Sequence, residues 1–306
     1  MKFNIGMLNV HHVKGLHVPD WEKKVGPAEQ ERALRLAEEL GYYKANVPEH
    51  FIISEEHRDL SGDHYPHAVT ALAWMGGFIK KMKLSSHVTI LPLINPIAQA
   101  KMWATLDWLT GGRAVLLAGV GWHKEEYEML GVPFSERGRM CDEYVAAMIE
   151  LWSSDNPTFE GRYVKFRNAG FAPKPVQRPG VPIWFGGDAE AVLRRVARWG
   201  AGWSPFQTPP DQIPEKLDWM RQQPDYHGGS IDVEYSLMVR KLADDHVPRD
   251  APEAAGTFVT QELVDQMGYL SDLGVTETYV PRPDLKDYEA YLDWMRWVAE
   301  DIMPKV

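Results

Sequence analysis

Apolar and polar positions along the chain change period repeatedly, and the order of the changes is strand, helix, strand, helix. Residues 2–8 alternate with period two, the pattern of a half-buried strand. Residues 27–40 (PAEQERALRLAEEL) set leucine and alanine at helical spacing. Pro27 suits a first helical turn, where a missing N–H costs nothing, and Gly41 suits a C-terminal stop. Residues 42–47 predict the next strand, 66–81 a helix begun at Pro66, 83–91 a β-rich run, and 96–109 a helix ending at Gly111-Gly112. Arg113 to Ala118 reads as a buried strand, 136–152 as a helix and Pro182 to Phe185 as a strand. Helices at 188–199, 210–222, 260–273 and 287–302 then alternate with strands at 201–203, 232–240 and 275–280.

Such alternation implies parallel strands joined by crossover helices. Close to eight units, with no dinucleotide-type glycine fingerprint after the first strand, predict an α/β fold of the (β/α)8 TIM-barrel kind over an open doubly wound sheet. A length of 306 residues fits one such barrel, so residues 1–306 are expected to form a single domain. The proline-rich stretch 153–181, with FEGRYVKFRN inside it, predicts a hairpin inserted in the barrel, and 241–258 predicts a surface loop.

Charge and cysteine usage narrow the function. A formal net charge of −10 argues against a nucleic-acid partner, whose binding rests on cations neutralising phosphates. The N-terminus lacks the apolar run of a signal peptide and no stretch is long enough to span a bilayer, so a cytoplasmic protein without a membrane partner is expected. The single cysteine, Cys141, lies in an amphipathic helical stretch and is expected to be a packed thiol rather than a nucleophile.

Barrel enzymes carry their chemistry at the C-terminal ends of the strands. The residues there are Asn9, His11 and His12 after strand one, Glu49 and His50 after strand two, and His87 to Asn95 at the end of strand three. Gly119, Gly121, Trp122 and His123 follow strand four, Gly186-Gly187-Asp188 strand five, and Trp203, Ser204 and Phe206 strand six. Small residues running into a helix expose N–H groups at the positive end of its dipole, which suits a phosphate, although a plain tight turn has the same sequence. His50 reads equally as a satisfied structural imidazole or as an acid/base group. A metal centre is a minor reading: His11 and His12 are adjacent, so their side chains point apart on a strand, and no metal ligands are assigned.

The segments AEELGYYKANVPEH, LSSHVTILPLINP, ATLDWLTGGRAVLLAGVGW, KEEYEMLGVPFSERGRMCDEY, FEGRYVKFRNAGFAPKPVQ and VPIWFGGDAEAVLRRVARWGAGW together resemble the luciferase-like monooxygenase family, and most of all its branch of deazaflavin (coenzyme F-420)-dependent oxidoreductases. The likeness runs from residue 1 to about 205 and is only general beyond. It implies a barrel with an insertion, usually dimeric or a higher homo-oligomer, with a tricyclic ring across the mouth and its phosphate on Gly186-Gly187-Asp188. A non-proline cis peptide beneath the ring maps to His87-Val88, the family's acid/base histidine to His50 with Glu49 beside it, and ring-proximal positions to Asn95, Gly121 and Trp122. From their places after strands one and six, His11, His12, Trp203 and Phe206 are expected to line the substrate pocket. The chain departs from the pattern where Lys44, Ala45, Asn46 and Val47 precede Pro48 in place of a tryptophan, and where His87 replaces a small residue. It also lacks the glutamate near Trp122 of the family's glucose-6-phosphate dehydrogenases.

The resemblance implies two-electron chemistry on a small organic molecule. Hydride transfer with coenzyme F-420 is the first expectation and oxygenation with reduced FMN and dioxygen the second. A barrel that binds a flavin without catalysis, and a metal-dependent hydrolase, are the readings from other classes. The aromatic stretch 287–298 (YEAYLDWMRWVA) fits a partner surface or, with more weight, ordinary packing on the barrel.

Overall fold

The computed structural model describes residues 1–10, 18–236, 260–283 and 285–306. The loop expected at 241–258 and the end of the strand expected at 232–240 lie outside the described residues, as do His11 and His12. In chain order the strands are β1 (Lys2–Gly6), β2 (Lys44–Val47), β3 (Lys83–Ser86), β4 (Thr89–Ile90), β5 (Ala114–Gly119), β6 (Phe159–Glu160), β7 (Lys165–Phe166), β8 (Ile183–Gly186), β9 (Gly202–Ser204), β10 (Asp232–Ser236) and β11 (Glu277–Tyr279). Parallel pairing runs β1–β2–β3–β5–β8–β9–β10–β11, and β11 returns to β1 through Lys2 with Glu277 and Phe3 with Thr278. The ladder therefore closes as a (β/α)8 barrel. The antiparallel pair β6–β7 is the inserted hairpin, its Phe159 and Phe166 rings stacked at 5.8 Å.

The helices between the strands are α1 (Pro27–Glu39), α2 (Glu55–Ser61), α3 (Ala68–Phe78), α4 (Pro96–Thr110), α5 (Lys124–Met129), α6 (Arg137–Ser153), α7 (Glu190–Trp199), α8 (Ile213–Arg221), α9 (Thr260–Asp272) and α10 (Tyr288–Trp297). Their ends follow local chemistry. Pro27 opens α1, where the Glu29 carboxylate accepts the Gly26 N–H at 3.1 Å. Asn95 caps α4 and Gly111, at φ +67°, ends it in the left-handed conformation. Pro66 does not begin α3; His67 caps that helix, its Nδ1 accepting the Thr70 N–H. The expected β run at 83–91 is broken by the cis His87-Val88 peptide and ends in a short 3-10 turn at Leu91–Leu93.

The alternating side chains of β5 and β8 divide between two cores. Leu116 and Ala118 of β5, with Ile183 and Phe185 of β8, join the large cluster under the helices, which also holds Leu34, Trp103, Met148, Val196 and Leu292. Val115, Leu117 and Trp184, one residue out of phase, form a separate inner cluster with Val88 and Ala201. Cys141 is fully buried, which pushes its thiol up to about 12, as expected of a packed side chain. Tyr291, Leu292 and Met295 of α10 are buried, so that helix packs on the barrel. Among the described residues no helix is long and apolar enough to cross a membrane.

Candidate active site

After β2 the chain turns at Pro48 and presents His50 at the barrel mouth. Its Nδ1 lies 2.8 Å from Oε2 of Glu126, a fully buried carboxylate on α5. The other Glu126 oxygen accepts the N–H groups of Phe51 at 2.6 Å and Ile52 at 3.4 Å. A buried carboxylate with these donors holds Nδ1–H toward itself, which leaves Nε2 as the nitrogen able to exchange a proton. Aromatic rings enclose the imidazole: Tyr65 at 4.9 Å, Trp122 at 5.8 Å and His123 at 6.4 Å between centroids. Glu126 was missed in the sequence because it sits in a six-residue helix too short to show a period, and its place four residues after Trp122 corrects the expectation that the chain lacks a glutamate near that tryptophan.

Glu49 faces elsewhere. It is buried, and its Oε2 accepts the Ala68 N–H at 3.2 Å at the start of α3. Its Oε1 has no hydrogen-bond partner among the described residues. Burial, with a smaller contribution from the Glu126 charge, raises this carboxyl to about 7. The adjacent pair Glu49-His50 thus splits into a buried acid and a mouth-facing imidazole oriented by a different carboxylate.

Val88, just past the cis peptide, lodges between two glycines. A Cβ on Gly119 would stand 2.7 Å from Val88 Cγ2, and one on Gly186 2.9 Å from its Cγ1. Gly121, at φ +67°, would meet Ile90 at 2.8 Å. Gly187, at φ +120°, turns the chain into α7, whose cap Ala189 supplies no side-chain acceptor for the first N–H groups. Asp188 is committed to the loop beyond β9: its carboxylate accepts N–H from Phe206 at 3.1 Å, Gln207 at 2.9 Å and Thr208 at 2.9 Å, and the Thr208 hydroxyl. Trp203, expected to line the substrate pocket, is fully buried in the cluster under the helices, its indole N–H donating to the Gly187 carbonyl at 2.8 Å. Phe206 is exposed, and Asn95 is exposed with its side chain capping α4 through Ile97 N–H at 2.9 Å. An apolar surface at Val88 beside a helix N-terminus free of a side-chain cap would suit a planar, phosphorylated ring.

His57, His123 and Glu125 bring three ligand-type atoms within 4.8 Å of one another. However, Nε2 of His123 accepts the Ser54 N–H at 3.1 Å, so its proton sits on Nδ1, which faces Glu125 Oε2 at 3.1 Å. A cation at this place would need that proton removed and the Ser54 contact broken. The cluster ties the loop before α2 to α5.

A second group of polar residues fills one side of the barrel interior. Lys44, Glu234 and Glu277 are each 1% exposed. Lys44 Nζ lies 2.8 Å from Glu234 Oε2 and also contacts Glu277 Oε2, while sitting 4.0 Å over the Trp184 ring. Asn4 Nδ2 donates to Glu234 at 2.6 Å and to Glu277 at 2.9 Å, and Asn46 Nδ2 to Glu234 at 3.2 Å and to the Tyr279 hydroxyl. His87 reaches into this group from the mouth, its Nε2 3.0 Å from Glu234 Oε1. Burial pushes the Glu234 carboxyl up, but Lys44 and His87 outweigh it and hold the group well below the usual carboxylate range.

The pattern for luciferase-like monooxygenases matches residues 1–277, and the chain belongs to that family. An uncharacterised Mycobacterium tuberculosis protein is 28% identical over 276 residues, 85% of this chain and 90% of its own. A segment of 124 residues, 38% of this chain and 34% of the other, is 36% identical to a reduced-FMN-dependent dimethylsulfone monooxygenase of Pseudomonas putida. The fold matches a coenzyme F-420-dependent secondary alcohol dehydrogenase solved with an F-420–acetone adduct, at a TM-score of 0.73 and 16% identity over 100% of this chain and 98% of that one.

Proposed function

We propose that the chain is an oxidoreductase that binds a flavin-type ring across the barrel mouth and reacts it with a small organic substrate, with hydride transfer through deazaflavin coenzyme F-420 as the first reading. The observation that carries this is His50, held at Nδ1 by buried Glu126 inside a ring of aromatic side chains. When bound, such a ring supplies the two-electron chemistry. The residues supply the rest. Val88 with Gly119 and Gly186 offers a flat face, the N–H groups opening α7 take the phosphate, and His50 Nε2 gives or takes the substrate proton. Proton transfer of this kind contributes about 10²–10⁴ in rate. A reduced-FMN monooxygenase is the second reading, supported by the segment shared with the Pseudomonas putida enzyme.

Titrating the purified protein with coenzyme F-420, and separately with oxidised and reduced FMN, separates the two by which ring binds tightly. Binding of neither removes both. With the cofactor fixed, His50→Ala should lose turnover by about 10²-fold or more while keeping cofactor affinity. Glu126→Gln should fall in the same direction, since an amide no longer requires the proton on Nδ1. Unchanged turnover in His50→Ala takes that residue out of the reaction.

A further inference from the structure

The barrel interior joins two buried carboxylates to one buried ammonium. Lys2 approaches Glu277 Oε1 only at 3.9 Å, from a half-exposed position that it shares with Asp232 at 3.8 Å. Uncompensated charge in a barrel core is costly because water no longer solvates it. Among the described residues, Glu234 Oε2 accepts from the Asn4 and Asn46 amides and pairs with the Lys44 ammonium, all within the core. Oε1 is different. It makes no well-aligned hydrogen bond, and the cation-forming group it faces is the His87 imidazole at 3.0 Å. That side chain is 38% exposed, so it spans the distance from the ionic core to the open mouth. Its Nδ1 has no partner among the described residues.

We propose that His87 is the cofactor-facing end of a buried charge network, and that with Nε2 fixed on Glu234 its Nδ1 donates to the bound ring and stabilises the negative charge the ring gains on reduction. Glu234 and Lys44 act through His87 and are positioning residues. The inference rests on the flavin-type reading above, and it deepens that reading by naming what sets the balance between the oxidised and reduced cofactor. The groups facing His87 are Glu234 on β10 and Tyr279 on β11, with Lys44 and Asn46 on β2 behind Glu234. Burial, reinforced by Glu234 and Glu277, keeps the Tyr279 phenol well above its ordinary range and therefore neutral, which leaves His87 as the basic group at this edge of the network.

The test compares dissociation constants of the oxidised and reduced forms of FMN, and of coenzyme F-420, for the full-length protein and for His87→Gln and Glu234→Gln. In His87→Gln the preference for the reduced ring should fall about tenfold, equivalent to about 30 mV in a two-electron couple. Glu234→Gln should shift it the same way with His87 present. His87→Gln changes a partly exposed side chain, so it carries the test even if Glu234→Gln fails to fold. A preference unchanged in His87→Gln, in a protein that binds a ring normally, overturns this inference and leaves the functional reading standing. Failure of the wild-type protein to bind either ring overturns both.

Discussion

The two sides of the barrel interior are built on opposite principles. On one side Val115, Leu117, Trp184 and Val88 meet through apolar contact, fitted by the missing side chains of Gly119 and Gly186. On the other, Lys44, Glu234, Glu277, Asn4 and Asn46 hold one another by charge and hydrogen bonds. Apolar contacts add up residue by residue. An ionic cluster does not: each member is tolerable only while the others are present. Trp184 bridges the halves, presenting its ring face to the Lys44 ammonium.

Removing the cation should therefore be the most damaging single change. Lys44→Met is expected to cost about 3–5 kcal/mol in denaturant unfolding, because it strands two buried carboxylates, and adding Glu277→Gln should recover part of that loss. On the apolar side Leu117→Ala should cost about 2–4 kcal/mol, with no recovery from any second polar change. If Lys44→Met proved no worse than Leu117→Ala, the contrast would fail.

Glu49 sharpens the comparison as a buried acid without a cation. Its folded carboxyl titrates at about 7 against an ordinary 4.5, so between those values the folded chain keeps a proton that the unfolded chain has released. Stability should fall as pH rises through that window. Glu49→Gln keeps an acceptor for the Ala68 N–H and should be more stable than wild type by about 2–3 kcal/mol near pH 8, with the difference vanishing near pH 4. Glu234, whose carboxyl is held low, should behave in the reverse sense and contribute stability that disappears on acidification. The smallest effect is geometric. Gly119→Ala brings a methyl to 2.7 Å from Val88 and should cost about 1–3 kcal/mol, read as a lower melting temperature and, on the proposed function, as weaker ring binding.

What could be read in advance follows from the same contrast. The barrel announced itself because parallel strands and crossover helices repeat a local pattern, and the inserted hairpin because prolines fence it. The helices α2 and α5 were not read, being seven and six residues long. His50 was legible as a histidine just beyond a strand; its partner Glu126 was not, since the two meet only when α5 folds back over the mouth. The ionic half was hidden for a harder reason. Asn4 and Glu234 are 230 positions apart, and Asn4 and Glu277 are 273 apart. Each looks like an isolated polar residue on a strand until barrel closure sets them side by side. Lys44 inside KANV, a run buried at every position, was the one visible irregularity.

The hairpin β6–β7 pairs with no barrel strand, and its turn is held from one side by α6. The Glu143 carboxylate there accepts the N–H groups of Arg162 at 2.8 Å, Tyr163 at 2.6 Å and Val164 at 2.8 Å. Glu143 thus serves as a socket for the hairpin turn, while Glu136 and Glu150 of the same stretch hold Tyr163 and Thr158. For protein engineering this makes the hairpin a replaceable cassette: a loop of another length or chemistry can be grafted between α6 and β8 if it returns backbone donors to Glu143, with the closed ladder and the mouth left as they are.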